Sequence, residues 1–227
     1  MCGRFFRHEV SWEEYLSYLN LFEWGEVRST SAAYNIAPTQ TVPIIRIEPS
    51  LGQPVLADAM WGLVPRWWKK PLSEKKFSTF NAKGEEAAEK ATFRTSWKDR
   101  PCLVPMSGFY EWKTEASGKQ PFAIGLSNRR LFFAAGLWDR ATVDGAPLDS
   151  FTILTTRPNS LVGDIHNRMP LIPRQDRIRD WLQGSPDLRA AMIEPHDPDN
   201  MQAWKVGKAV GNVRSQGIKL LEAVQSD

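Results

Sequence analysis

The chain has 227 residues, of which 42% are hydrophobic and 24% are charged, and its formal net charge is +3. This composition is typical of a globular protein and excludes disordered and fibrous architectures, because low-complexity tracts are absent. The longest apolar run, residues 131–138, is much shorter than the roughly 20 residues of a membrane helix, so we expect no membrane partner. The length predicts one globular domain, or at most two small ones, with enough apolar residues for a large core.

Apolar residues at helical spacing predict three helices in chain order. Ser11 and Glu14 have the spacing of a capping box, which predicts a first helix over residues 12–20. Charges opposite an apolar side predict a second helix over residues 85–97. A third is predicted over residues 174–183 with a glycine just after its end.

Strand signals are more numerous than helix signals. They fall at residues 42–47, 55–60, 102–104, 108–113, 121–126, 131–137, 151–155 and 218–221. Short connections at residues 117–119 and 127–130 favour antiparallel hairpins over a βαβ pattern. The predicted fold class is therefore α+β, with a mainly antiparallel sheet or barrel-like core flanked by a few helices.

Several kinds of site are excluded by what the sequence lacks. Cys2 and Cys102 are the two cysteines and have no CxxC spacing, so neither a disulfide framework nor a cysteine zinc cluster is expected. The glycine-rich nucleotide-binding motifs are absent, so we expect no nucleotide cofactor, and HExxH is absent as well as CxxC, so we expect no metal. Arg4, Arg7 and Glu9 lie where a signal peptide would have its apolar core, which predicts a cytoplasmic protein.

Basic residues are concentrated between residues 65 and 100, a segment that contains ten basic and five acidic residues. The same segment contains Trp67, Trp68 and Trp97. Basic side chains neutralise phosphates and aromatic rings stack on unpaired bases, so the pattern favours single-stranded nucleic acid. A solvated lysine-rich face over a tryptophan-containing core explains the pattern equally well.

Cys2 directly follows Met1, so removal of Met1 would give a chain with an amine and a thiol on adjacent carbons. Both groups titrate near neutral pH, and together they react with an aldehyde to give an imine and then a five-membered thiazolidine ring. The alternative is that Cys2 is a small buried residue at a docked N-terminus.

Three further polar residues are candidates for the same chemistry. Glu111 lies in a strand that is otherwise mostly apolar or aromatic, where desolvation would raise its pKa towards neutrality and suit it to proton transfer. The alternative for Glu111 is an edge-strand carboxylate paired with Lys113 or an arginine. His166 lies in a polar loop and Asn81 in a turn, and taken alone each is more typical of a structural residue.

Seven short motifs occur in a fixed order along the chain. They are MCGRF, YNIAP, WGLVP followed by Trp67 and Trp68, NAK at residues 81–83, CLVP running into GFYEWK, IHNRMP, and VGNV at residues 210–213. Together they resemble the SRAP family, the SOS response-associated peptidase domain proteins, also called abasic-site processing proteins. The similarity extends from residue 1 to about residue 217. We therefore expect residues 1–227 to form a single SRAP-like domain.

The resemblance implies a protein that crosslinks its Cys2, after self-processing removes Met1, to abasic sites in single-stranded DNA through Schiff-base chemistry. Covalent chemistry at one site needs only a monomer, so we expect a monomer. The resemblance implies no cofactor, and a cytoplasmic protein that is nucleoid-associated when bound to DNA. By the same resemblance the catalytic residues are Cys2, Asn81, Glu111 and His166, and the DNA-binding residues are Arg4, Trp67, Trp68, Lys83, Trp112, Thr155, Arg168 and Gly211. The family commonly has arginine where this chain has Lys83, and lysine keeps the charge but loses the two-pronged donor.

Two other functions remain open. An N-terminal-nucleophile amidohydrolase would use Cys2, His166 and Glu111 as a triad and would turn over substrates without DNA. A non-enzymatic reader of single-stranded or modified DNA would use Trp67, Trp68 and the basic segment, and Cys2 would be dispensable.

Overall fold

The computed structural model describes residues 2–19 and 28–224. The strands are β1 (Phe5–Arg7), β2 (Ala33–Ile36), β3 (Thr41–Ile47), β4 (Pro54–Trp61), β5 (Asn81–Lys83), β6 (Pro101–Met106), β7 (Gly108–Glu115), β8 (Gly118–Leu126), β9 (Phe132–Val143), β10 (Ala146–Thr156), β11 (Met169–Pro170) and β12 (Met201–Lys205). The α-helices are α1 (Trp12–Tyr18), α2 (Gly84–Ala87), α3 (Arg94–Asp99), α4 (Ser160–Gly163), α5 (Ile178–Gln183) and α6 (Pro186–Ala190). Within these ranges, every helix is too short or too polar to cross a bilayer.

Strands β10, β4, β3, β6 and β9 form a closed barrel. Four of its pairings are antiparallel, whereas β10 and β4 run parallel. The short strands β5 and β11 both pair with the C-terminal part of β10, beyond its pairing with β4. Residues 81–83 and the strand that follows His166 are therefore held against the same stretch of β10.

A second sheet has the strand order β12-β8-β7-β1-β2. Strand β1 is thus an interior strand and pairs antiparallel with β7, with Phe5 opposite Phe109. The pairing extends beyond β1, because the backbone N–H of Tyr110 donates to the Arg4 carbonyl at 3.0 Å. This register carries the N-terminal residues alongside Glu111.

The sheet and the barrel pack together through one apolar cluster. Phe5 of the sheet meets Trp61 of the barrel with ring centroids 5.1 Å apart in an edge-to-face arrangement, and both side chains are fully buried. Burial of an aromatic side chain of this size stabilises the fold by roughly 1.5–3 kcal/mol. Cys2 belongs to this cluster, so the candidate site lies where the two β layers meet.

The α+β class and most of the predicted strands are confirmed, and the first helix is confirmed over Trp12–Tyr18. Residue 20, where that helix was predicted to end, lies outside the described residues. The hydrogen bonds of the Ser11–Glu14 capping box are both present. The continuous helix predicted over 85–97 is wrong, because tertiary contacts favour two short helices, α2 and α3. Buried Arg189 donates to the carbonyls of Trp97 and Lys98 and so fixes the end of α3 separately.

Two expectations about connections are also wrong. Residues 127–130 do not form a hairpin turn, because β8 belongs to the open sheet and β9 to the barrel, so the chain changes layers there. The strand predicted at 218–221 is a 3₁₀ helix over Ile218–Leu221, which turns Leu220 into an apolar cluster with Val206 and Val210. The preceding Gly217 has φ 106°, a left-handed backbone that glycine adopts without strain.

Candidate active site

Cys2 is completely buried and lies just before β1. Its thiol donates to the carbonyl of Arg4, two residues on, at 3.6 Å. Burial raises the pKa of the Cys2 thiol well above its ordinary value, and the negative charge of nearby Glu111 raises it further. The thiol is therefore protonated in this environment and needs a base before it can act as a nucleophile.

Asn81 joins the barrel side of the site to Cys2. It is the first residue of β5, opposite Ile153 of β10, and its Nδ2 donates to the carbonyl of Cys2 at 2.7 Å. The Asn81 Oδ1 atom is buried and has no hydrogen-bond partner within the described residues. A buried acceptor without a partner is costly, so this oxygen marks a place for a donor that would lie beside Cys2.

Glu111 approaches Cys2 from the other side, on β7. The strand lies between β8 and β1, so the alternative of an edge-strand carboxylate is wrong. Only 3% of the Glu111 side chain is exposed, and burial raises its pKa to about 7. This confirms the direction that the apolar sequence around Glu111 predicted, and it gives the carboxyl group a proton affinity suited to transfer at neutral pH.

His166 lies in the loop between α4 and β11, and its Nδ1 is 3.8 Å from Oε1 of Glu111. The same Nδ1 is 3.1 Å from both the backbone N–H and the backbone carbonyl of Arg168. The N–H can donate to a bare Nδ1 and the carbonyl can accept from a protonated one, so either state finds a backbone partner. Burial lowers the pKa of His166, which favours the neutral ring at pH 7.

The three polar residues therefore converge on Cys2 from three separate segments. Asn81 binds its carbonyl, Glu111 acts on its thiol electrostatically, and His166 stands next to Glu111. The arrangement can hold a short backbone segment in place and exchange protons beside it. In the part of the chain that the structure describes, no group of three or more His, Cys, Asp or Glu could hold a metal ion.

Arg168 lies beside this cluster and is held by two other residues. Its guanidinium forms a two-pronged ion pair with Glu85, at 3.0 and 2.7 Å, and donates to the Thr155 carbonyl at 2.6 Å. Thr155 itself is fully buried, and its hydroxyl donates to the Ala82 carbonyl at 3.3 Å. Sequence reasoning did not single out Glu85, because nothing local distinguishes it from the neighbouring acidic residues.

Arg4 and Gly211 are also brought together. The Arg4 guanidinium donates to the Gly211 carbonyl at 3.3 Å. The segment around Gly211 is fixed by Asn35, whose buried Nδ2 lies 2.9 Å from the Asn212 carbonyl and 3.1 Å from the Ser215 carbonyl. Asn35 occurs in the YNIAP motif, which was the only sequence signal for this role.

The aromatic candidates do not share one environment. Trp67 is 50% exposed, whereas Trp68 is only 9% exposed and packs edge-to-face on Phe77 with ring centroids 5.6 Å apart. The rings of Trp67 and Trp68 are tilted by 55°, so they do not form a parallel stack. Trp112 follows Glu111 on β7 and therefore points to the opposite face of the sheet, where it packs with the cluster containing Val210.

Lys83, the remaining basic candidate, ends β5 and is exposed, with its Nζ 2.8 Å from Oε1 of Glu86. Both Lys83 and Arg168 thus face carboxylates of the first turn of α2. A single surface next to the Cys2 cluster therefore carries two basic groups together with their own counter-charges.

A closed barrel packed on an antiparallel sheet, with residue 2 set among polar side chains from both layers, defines an α+β protein whose N-terminal segment is part of its candidate site. The chain belongs to the SOS response associated peptidase (SRAP) family, whose model matches residues 1–213. This confirms the resemblance that the seven motifs indicated.

Individual relatives are similar over almost their whole length. The abasic site processing protein YoaM of Bacillus subtilis is 34% identical, with 98% of each chain covered. The abasic site processing protein YedK of Escherichia coli is 31% identical, with 99% of this chain and 100% of the relative covered. A crystal structure of a protein from Bordetella bronchiseptica superposes with a TM-score of 0.78 at 26% identity, covering 91% of this chain and 100% of that one.

Proposed function

We propose that this protein processes abasic sites in DNA, by joining Cys2 covalently to the ring-opened sugar of an abasic site in a single strand. The names of the relatives support the role in abasic site processing. The observation that carries the covalent mechanism is the convergence of Asn81, Glu111 and His166 on Cys2. Residues 1–227 act in this proposal as one domain and as a monomer, since the chemistry needs one copy of each residue.

The first step is removal of Met1. Water adds to the Met1 carbonyl carbon, the bond to the Cys2 nitrogen breaks, and the products are free methionine and a primary amine on Cys2. Glu111 can take the proton from water and His166 can return one to the leaving nitrogen. The new amine can donate to the buried Oδ1 of Asn81, which supports Asn81 as the group that orients it.

The second step joins the amine to the lesion. The Cys2 nitrogen attacks the aldehyde carbon of the open sugar to form a carbinolamine, which loses water to give an imine. A proton must reach the departing hydroxyl and another must leave nitrogen. A carboxyl group with a pKa of about 7 serves both needs at neutral pH, which supports Glu111 as the proton carrier. His166, which is partly exposed, can hold the sugar oxygen.

The third step closes a ring. The Cys2 sulfur adds to the imine carbon, its proton passes to the imine nitrogen, and a thiazolidine forms, so that the whole addition loses one water. Burial and the Glu111 charge raise the pKa of the thiol, so the amine reacts first and sulfur follows once a base accepts its proton. The closed ring removes the imine that would otherwise promote strand cleavage.

The DNA strand is proposed to follow the surface beside this cluster. Arg4, Lys83 and Arg168 would bind phosphates, and exposed Trp67 would stack on a base, since unpaired bases stack on aromatic rings without sequence preference. Trp68, Trp112, Thr155 and Gly211 would shape this surface through packing and backbone contacts.

The test is formation of a heat-stable adduct with an oligonucleotide that contains one abasic site, followed on a denaturing gel. The wild type should form the adduct and Cys2→Ala should not. Cys102→Ala is the matched control, because Cys102 is a fully buried cysteine of β6 outside the site, and it should keep the adduct. An adduct that survives Cys2→Ala would contradict the proposal.

A further inference from the structure

Arg168 and Glu85 form the tightest charge pair on the proposed DNA surface. Both guanidinium Nη atoms bind the two carboxylate oxygens, and 16% of the Arg168 side chain and 43% of the Glu85 side chain are exposed. Burial acts to raise the pKa of Glu85, but the hydrogen bond and charge of Arg168 outweigh it and lower the pKa overall. Glu85 is therefore negatively charged at neutral pH.

Both Nη atoms of Arg168 donate to acceptors, whereas its buried Nε has no hydrogen-bond partner within the described residues. Nη2 serves both Glu85 and the Thr155 carbonyl, and Nη1 serves Glu85 with one of its two hydrogens. A phosphate binds a guanidinium through the same two parallel N–H groups as a carboxylate, so Glu85 occupies the position that a two-pronged phosphate contact requires.

The two partners are anchored differently. The Arg168 guanidinium is held by its hydrogen bond to the Thr155 carbonyl in β10, and most of the Arg168 side chain is buried. Glu85 lies in the first turn of a four-residue helix, and its partly exposed carboxylate also accepts hydrogen bonds from the backbone N–H groups of Glu85 and Arg157. Because the Glu85 side chain is more exposed than that of Arg168, exchange would move the Glu85 side chain and leave the guanidinium in place.

We propose that Glu85 is a built-in competitor for the DNA phosphate at Arg168, which it neutralises until a strand displaces the carboxylate. This inference rests on the proposed function, since it assumes that Arg168 faces the DNA backbone. Its effect is to lower affinity for undamaged single strands, so that retention on DNA depends more on covalent capture of the lesion.

The experiment measures binding of an oligothymidylate without an abasic site, over a range of salt concentrations, so that adduct formation plays no part. Glu85→Gln should bind about two- to fivefold more tightly than the wild type at low salt, the size of an exposed ion pair. The gain should shrink as the salt concentration rises, because salt screens the exposed ion pair that Glu85→Gln removes. Glu89→Gln is the control, because Glu89 is an exposed carboxylate of the same segment and its loss changes the net charge equally.

The decisive comparison uses Arg168→Gln as a background. Glu85→Gln should give no gain there, because its competitor is gone. An equal gain from Glu85→Gln and Glu89→Gln, or a gain that persists without Arg168, would overturn the inference. Weaker binding by Glu85→Gln would also overturn it and would make Glu85 a positioning residue for Arg168.

The abasic adduct assay is run alongside on the same variants. A wild type that binds the oligothymidylate but forms no abasic adduct contradicts the proposed crosslinking and leaves the Glu85 comparison valid. A wild type that does not bind the oligothymidylate overturns both the single-stranded DNA partner and the role of Glu85.

Discussion

Oε1 of Glu111 and Nδ1 of His166 lie 3.8 Å apart, and burial shifts the pKa values of the two side chains in opposite directions. It raises the pKa of Glu111 to about 7 and lowers the pKa of His166 below its ordinary 6.5. The two side chains come from an interior strand and a loop, and burial favours the protonated carboxyl group of Glu111 and the neutral ring of His166. The fold therefore places a proton donor beside a proton acceptor.

The raised pKa of Glu111 predicts a pH-dependent cost to stability. Because the folded-state pKa lies above the unfolded value near 4.5, the stabilisation is fully present below pH 4.5 and is lost as the pH rises through about 7. Relative to Glu111→Gln, the wild type should lose about 3 kcal/mol of unfolding free energy between pH 4.5 and 8. Urea unfolding of both proteins across this range measures it. Parallel stability curves would contradict the shift.

Asn81→Ala should slow adduct formation about 10- to 100-fold, because the variant loses the hydrogen bond that fixes the Cys2 carbonyl. The measurement is the single-turnover rate of adduct formation at saturating DNA. Asn128→Ala, which removes an exposed amide in the connection between β8 and β9, is the control and should react at the wild-type rate. An unchanged rate for Asn81→Ala would show that this hydrogen bond has no part in the reaction.

Substitution of Trp67 should affect DNA binding, whereas substitution of Trp68 should affect the stability of the fold. Trp67→Ala removes a half-exposed ring and should weaken single-strand binding by about 1–3 kcal/mol while changing stability little. Trp68→Ala empties a packed position beside Phe77 and should lower the unfolding free energy by about 3–5 kcal/mol. Binding titrations and thermal unfolding of both variants separate the two effects. Equal losses in both assays would contradict this division.

Gly108 permits the close approach of β7 to β1 that sets the position of Glu111. A Cβ at residue 108 would lie 2.2 Å from Cζ of Phe6 and 2.6 Å from the Ile124 carbonyl oxygen. Gly108→Ala should therefore cost about 1–3 kcal/mol of stability. Gly207→Ala is the matched control, since its Cβ would meet nothing within 4 Å. Equal unfolding free energies for the two variants, measured by denaturation, would show that the close packing at Gly108 does not limit stability.

Features that depend on local sequence could be predicted. The capping box of α1 needs only Ser11 and Glu14, three residues apart, and the longer barrel strands have runs of β-branched and aromatic residues. The raised pKa of Glu111 was also predictable, because its apolar sequence neighbours already indicated desolvation.

Features that depend on pairing between distant segments could not be predicted from the sequence. The strands β1, β5 and β11 have two or three residues each and exist because a long neighbour provides hydrogen bonds. The parallel pairing of β10 with β4, which closes the barrel, has no local signal. Cys2, Asn81, Glu111 and His166 could each be assigned a chemistry, but only the family resemblance indicated that they act together. Glu85 had no signal of either kind.

The most direct test of the central claim is intact mass spectrometry of the protein before and after incubation with an abasic oligonucleotide. The account predicts a starting mass that lacks Met1, followed by a gain equal to the mass of the oligonucleotide minus one water. Digestion and fragmentation should then locate the added mass at Cys2. A chain that retains Met1 and still gains the DNA, or an added mass at any other residue, would contradict capture by the amine and thiol of Cys2.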